Sequence, residues 1–187
     1  DVGLVGFPNA GKSTLISSMS DVKVKMAAYP FTTLRPNLGY LYAKGGEPIL
    51  MADIPGIIKG AHQNKGLGYE FLRHIERTKV LLYVLDASGI DGRTPYDDFC
   101  VLREELELYN TETLEKPSLV VLNKIDTDES EELLKEFYAK TSLDSESILE
   151  VSALQKRGTD DLIGHLTTMI HKQKKAEEVE LEIVETM

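Results

Sequence analysis

Nine residues, Gly6-Phe7-Pro8-Asn9-Ala10-Gly11-Lys12-Ser13-Thr14, constrain this chain more than any other feature. They follow a short apolar run, Val2 to Val5, and lead into Leu15, Ile16 and Met19 at helical spacing. Gly6, Gly11, Lys12 and Ser13 satisfy every fixed position of G-x-x-x-x-G-K-[ST]. A loop of this kind wraps so that successive backbone N–H groups point inward, and the helix opening at Lys12 adds the positive end of its dipole, which together make an anion cradle. Strand, loop and helix in that order demand a parallel partner strand on the far side of the helix, so the rest of the chain should alternate strand and helix.

The pattern downstream agrees. A helix over Lys12 to Ser20 is followed by a long polar connection, Asp21 to Asn37, broken by Pro30 and Pro36. Leu38 to Ala43 and Pro48 to Ala52 read as an antiparallel hairpin around Lys44-Gly45-Gly46-Glu47. A glycine-rich stretch with Gly56, Gly60, Gly66 and Gly68 leads to a helix over Tyr69 to Thr78. Val80 to Leu85 is continuously apolar, as a strand covered on both faces should be. The spacing then predicts a helix at Asp97 to Tyr109, a strand at Ser118 to Leu122, a helix at Glu131 to Lys140, a strand at Ile148 to Val151 and a helix at Asp160 to Lys172. With 187 residues, 42% of them apolar, the chain can bury one real core. The expected architecture is α/β: a mostly parallel six-stranded sheet with one antiparallel edge strand, helices on both faces, and the ligand at the carboxyl ends of the strands. Residues 1–172 are expected to form this domain; residues 173–187, rich in Glu with Val179, Leu181 and Ile183 alternating, read as a linker or C-terminal extension in preference to a strand.

Within that frame Lys12 would reach the β- and γ-phosphates of a nucleotide, and Ser13 would give its hydroxyl to a bridging Mg²⁺. Asp53-Ile54-Pro55-Gly56 closes the second hairpin strand, where Asp53 can hold a Mg²⁺-bound water and the Gly56 N–H can meet the γ-phosphate. Asn123-Lys124-Ile125-Asp126 follows a strand end. The Asp126 carboxylate can accept hydrogen bonds from the N1–H and 2-amino groups of guanine, donors that adenine lacks on that edge. Asn123 would brace the loop and contact the purine, and the Lys124 stem would pack over the ring. Ser152-Ala153-Leu154, after the last strand, is placed to give a backbone N–H to guanine O6.

These strings together resemble the GTP-binding domain of the Obg family of Ras-like P-loop GTPases, a branch that includes mitochondrial relatives. The resemblance covers roughly residues 1–172. Tyr29-Pro30-Phe31-Thr32-Thr33-Leu34-Arg35-Pro36-Asn37-Leu38-Gly39 is similar to that family's switch I. Asp53-Ile54-Pro55-Gly56-Ile57-Ile58-Lys59-Gly60-Ala61 is similar to its switch II, and Phe71-Leu72-Arg73-His74-Ile75-Glu76-Arg77-Thr78 extends the match. The resemblance implies that Thr33 completes the Mg²⁺ shell in the GTP state, with Thr32 the alternative in a register one residue off and Phe31 beside them in the nucleotide site. It implies a slow GTPase acting in assembly of the large ribosomal subunit, with a glycine-rich N-terminal domain absent from this chain.

In Ras-like GTPases a Gln after the switch II glycine orients the attacking water. Ile57 stands there, so unassisted hydrolysis should be slow, with Lys12, Thr33, Gly56 and Asn9 as the candidate catalytic residues. Asn9 resembles the phosphate-loop asparagine that coordinates K⁺ in potassium-stimulated GTPases; it is equally a loop residue tolerant of left-handed geometry. The alternative to a turnover enzyme is a guanine-nucleotide-controlled binding module in stress or growth signalling, for which hydrolysis only times release.

Charge and cysteine content limit the partners. Asp126 to Glu150 carries nine acids against Lys135 and Lys140, a local sum of −7 within a formal charge of −10, so no direct nucleic-acid contact is expected there. The one cysteine, Cys100, fits a reducing intracellular compartment, cytoplasm or mitochondrial matrix, and its spacing with Phe99, Leu102 and Leu106 predicts a core position. No apolar run is long enough to span a membrane.

Overall fold

The computed structural model describes residues 1–20, 25–26, 37–42, 47–54 and 75–185. Among the described residues, seven strands form a single sheet: β1 (Val2–Val5), β2 (Lys25–Met26), β3 (Asn37–Leu41), β4 (Ile49–Asp53), β5 (Val80–Asp86), β6 (Ser118–Asn123) and β7 (Ile148–Val151). The helices are α1 (Lys12–Met19), α2 (Pro95–Tyr109), α3 (Ser130–Lys140) and α4 (Thr159–Glu185). Strand order is β2-β3-β4-β1-β5-β6-β7. β4, β1, β5, β6 and β7 run parallel, whereas β3 returns antiparallel on β4 in the register Leu38 to Ala52 and Tyr40 to Leu50. The expected fold class is therefore present, and the two-residue β2 adds a further antiparallel strand outside β3.

The strands are apolar because both faces are covered. Every residue of β1 and of β5 is buried. On one face pack Leu15 and Ile16 of α1 with Leu162, Leu166 and Ile170 of α4, the last three at the i, i+4, i+8 spacing that puts them in one stripe. On the other face pack Phe99, Leu102 and Leu106 of α2 with Phe137 of α3. An edge-to-face ring series, Tyr83 with Phe99 and Phe99 with Phe137, fixes α2 and α3 against β5.

Two expectations are corrected. Residues 173 to 185 are helical, neither an irregular linker nor a strand: α4 continues to Glu185, because the helix anchored by Leu162, Leu166 and Ile170 runs on through good helix formers with no Gly or Pro to stop it. Cys100 is exposed, not part of the core. The buried stripe of α2 is Phe99, Leu102 and Leu106, and the residue after Phe99 is turned roughly 100° away from it.

Boundaries also moved by a residue or two. α2 begins at Pro95 because Thr94 caps it, its Oγ1 accepting from the Asp97 N–H at 3.1 Å, with Pro at the first helical position. Of the helix predicted over Tyr69 to Thr78, residues 69–74 lie outside the described set; Ile75 and Glu76 are helical, and the Thr78 hydroxyl donates to the Ile75 carbonyl at 2.7 Å as the turn ends.

Candidate functional site

Each strand of the parallel set ends at the same edge of the sheet, so the loops after β1, β4, β5, β6 and β7 are brought together there. The phosphate-loop sequence leaves β1 and turns into α1. Its glycines are required by contact and conformation: a Cβ on Gly6 would lie 2.4 Å from the Val84 carbonyl oxygen. Gly11 has φ 92° and a Cβ there would lie 2.3 Å from Asn123 Nδ2. Asn9 also adopts left-handed geometry, φ 67°, and its side chain is exposed. Phe7 and Ala10 are buried beneath the loop, whereas Pro8, Ser13 and Thr14 face outward.

Lys12 is buried, with 8% exposure, and its ammonium donates to the carbonyls of Gly6 at 2.9 Å and Phe7 at 3.0 Å. Burial pulls its pKa below the usual lysine value, and the Asp53 carboxylate, 3.9 Å away, opposes that shift. Asp53 ends β4, and its Oδ2 accepts from the Ser13 hydroxyl at 2.7 Å. Ile54 follows, buried, with its N–H donating to the Leu4 carbonyl. A hydroxyl and a carboxylate meeting at the mouth of the cradle are hard oxygen donors of the kind Mg²⁺ takes from protein while phosphates and waters complete its shell. The residues present therefore fit that ion. Pro55 and Gly56 lie outside the described residues, as do Phe31, Thr32, Thr33 and Ile57.

The second half of the site is tied to the first by one side chain. Asn123, 1% exposed at the end of β6, donates through Nδ2 to the Ala10 carbonyl at 2.9 Å and accepts through Oδ1 from the Ala153 N–H at 3.0 Å. The phosphate loop, the Asn123–Asp126 loop and the Ser152–Leu154 segment are thus held in one frame. Lys124 has φ 67° and pairs with Asp86. Asp126 Oδ1 is buried and has no hydrogen-bond partner among the described residues. A buried carboxylate oxygen without a donor is costly, and it marks a place where donors are expected to arrive. Ser152 is fully buried and its hydroxyl accepts from the Gln155 N–H, while Leu154 is 78% exposed. With the Ala153 N–H committed to Asn123, the N–H of Leu154 is the member of this segment suited to a purine carbonyl.

Sequence reasoning missed three supporting residues. Asp86 receives Lys124 and Ser88; Arg157 donates to the Ile125 carbonyl at 2.9 Å, joining the two loops at the purine end; and Arg93 lies 4.7 Å over the Phe7 ring while bonded to Asp98 at 2.8 Å. Asp86 had a signal, since it ends a buried strand at the edge where ligands bind. The arginines had none for their part in the site, because Arg157 meets a backbone carbonyl and Arg93 a ring, each remote in sequence.

Residues 1–124 match the family described as 50S ribosome-binding GTPase. GTPase Obg of Protochlamydia amoebophila is 58% identical over 177 residues, which is 95% of this chain and 52% of that protein. GTPase Obg of Alkaliphilus metalliredigens is 49% identical, covering 99% of this chain and 43% of that protein. This chain thus spans about half the length of the curated relatives it matches. Among solved structures, Aquifex aeolicus Era bound to GDP and aluminium fluoride is 26% identical, with a TM-score of 0.64, over 90% of this chain and 55% of that one. The G domain of the Thermotoga maritima iron transporter FeoB, 19% identical, shares the fold with a TM-score of 0.66, over 90% of this chain and 97% of that one.

Proposed function

Because the chain belongs to the Obg family of 50S ribosome-binding GTPases, we propose that its domain, residues 1–172, binds GTP and GDP with Mg²⁺ and hydrolyses GTP slowly, as a switch in assembly of the large ribosomal subunit. The observation that carries the nucleotide reading is the frame around Asn123: a phosphate cradle at one end and the partnerless Asp126 oxygen at the other, joined by one buried side chain. Such a frame measures the distance from phosphate to base. Asp126 accepts from guanine N1–H and the 2-amino group, Leu154 donates to O6, and the Lys124 stem lies along the ring.

At the phosphate end Lys12 exchanges the carbonyls of Gly6 and Phe7 for phosphate oxygens, and the loop N–H groups take the remainder. Ser13, Asp53 through water, and Thr33 in the GTP state would hold the Mg²⁺, whose charge would offset that developing on the phosphates. The Gly56 N–H meets the γ-phosphate. Ile57 can neither donate nor accept a hydrogen bond, so the attacking water is poorly oriented by this domain alone. K⁺ held by Asn9, or a partner, would supply the missing positive charge. The ribosomal partner is read from the description of the matching family, 50S ribosome-binding GTPase. Among the described residues no helix is long and apolar enough to cross a membrane.

Turnover of GTP measured with and without large ribosomal subunits tests this directly. Stimulation by the particles, with ATP unable to compete for the site, is the expected result. Equal competition by ATP would overturn the nucleotide reading, and turnover indifferent to the particles would overturn the ribosomal one.

A further inference from the structure

At the carboxyl end of β5, Asp86 lies between two groups far apart in the chain, Lys124 on one side and the Ser88 turn on the other. Its Oδ2 receives the Lys124 ammonium at 2.5 Å. Its Oδ1 receives both the N–H of Ser88 at 2.8 Å and the Ser88 hydroxyl at 2.5 Å. Asp86 is 8% exposed, and its backbone faces Asn123 across the β5–β6 register, so it sits one residue from the start of the base-end loop. Lys124 itself is held in left-handed backbone geometry, φ 67°, which an unbranched but bulky residue adopts only when its surroundings fix it.

A lysine side chain free in solvent samples many rotamers, and ordering it on a ligand face costs that rotamer entropy. Here the order is in place before any ligand arrives: the ammonium is anchored at its tip by Asp86, and the carboxylate is anchored by Ser88. The four methylenes between backbone and tip are left as a fixed apolar rod. We propose that Asp86 is a positioning residue for nucleotide binding, acting through Lys124 to preset its stem as the platform for the purine ring, with Ser88 locking the carboxylate. The role rests on the guanine-nucleotide reading above.

A platform under a ring face does not touch the exocyclic groups that Asp126 reads. Losing it therefore weakens all purines of one series alike, whereas damage to the base-end loop would alter discrimination between them. Asp86→Asn keeps the shape and the Ser88 bonds but turns the partner of Lys124 into a neutral amide. It should weaken GDP about tenfold, the scale of one hydrogen bond to a charged group. IDP, which lacks the 2-amino group, should weaken by the same factor, leaving the GDP-to-IDP ratio of affinities unchanged. In a Lys124→Met background Asp86→Asn should cost nothing further, since the residue it serves is gone. An equal loss in both backgrounds, a changed GDP-to-IDP ratio, or no loss at all would overturn the positioning role. If Asp86→Asn does not fold, Ser88→Ala provides the same cycle: a severalfold loss present with Lys124 and absent with Met supports the role, and a loss common to both overturns it. Failure of the unmutated chain to bind GDP would instead remove the nucleotide reading itself, so the two failures are told apart by the unmutated protein.

Discussion

Asp126 carries the sharpest consequence at the scale of single residues. Its buried oxygen, without a partner among the described residues, is suited to a donor, so Asp126→Asn should weaken GTP by about 1–3 kcal/mol through one lost and one frustrated hydrogen bond, and xanthosine triphosphate should gain because its 2-oxo group accepts from the new amide. Competition binding with the two triphosphates checks this; an unchanged preference would place the purine elsewhere. Asn9 is a different case. Its left-handed backbone already explains an asparagine, so the potassium role must be tested on the side chain alone. Asn9→Gly keeps that backbone at ease. If Asn9 helps hold K⁺, turnover in K⁺ should exceed turnover in Na⁺ at matched ionic strength for the unmutated chain and not for Asn9→Gly. Equal rates in both salts for the unmutated chain would leave Asn9 as a turn residue. At this scale the sequence named candidate groups by type, yet it was silent on their pairing, as Lys124 with Asp86 and Ala153 with Asn123 illustrate.

Among the elements, the close approach of α1 to β3 is the least forgiving contact. A Cβ on Gly39 would lie 2.2 Å from Ile16 Cγ2, and Ile16 is fully buried in the core, so Gly39→Ala should cost about 1–3 kcal/mol and lower the midpoint of thermal unfolding. A midpoint unchanged from that of the unmutated chain would mean that Ile16 has room to rotate. α4 divides into two parts with different duties. Leu162, Leu166 and Ile170 are fully buried, whereas residues 175–179 are exposed, and the ion pairs Lys174 with Glu47 and Lys79 with Glu177 are surface pairs worth little. Removing residues 178–187 should therefore reduce helical ellipticity while shifting unfolding stability by less than about 1 kcal/mol, and Leu166→Ala should cost about 2–5 kcal/mol. A truncation as damaging as Leu166→Ala would show that the distal helix is part of the core. Periodicity located these elements, including the all-apolar β5, but it misjudged the chain after Lys172. Alternating Val179, Leu181 and Ile183 satisfy a strand template locally, and only a helix already anchored upstream decides against it.

For the molecule as a whole, the proposed ligand reaches loops after five strands, so binding should raise global stability rather than local order. At a concentration of Mg²⁺·GDP one hundred times its dissociation constant, stability should increase by about 2.7 kcal/mol, and chelation should remove the part that depends on the ion. A thermal midpoint indifferent to Mg²⁺·GDP would contradict a site built across the sheet edge. What the sequence determined by itself was the order of strands and helices, the glycine-bearing turn between β1 and α1, and the choice of Asn123 to Asp126 as the candidate loop for a base. Those features are written in spacings of a few residues, where glycine, proline and apolar period act on the backbone directly. Tertiary structure decided the rest. Asn123 bridges Ala10 and Ala153 across more than a hundred residues on one side and thirty on the other, Gly6 must be small because Val84 lies against it, and Cys100 faces solvent because the rotation of α2 on β5 is set by Phe99 and its ring partners. Each of these depends on how two elements far apart in the chain are registered when they pack, and close packing fixes that register only once the whole core has formed.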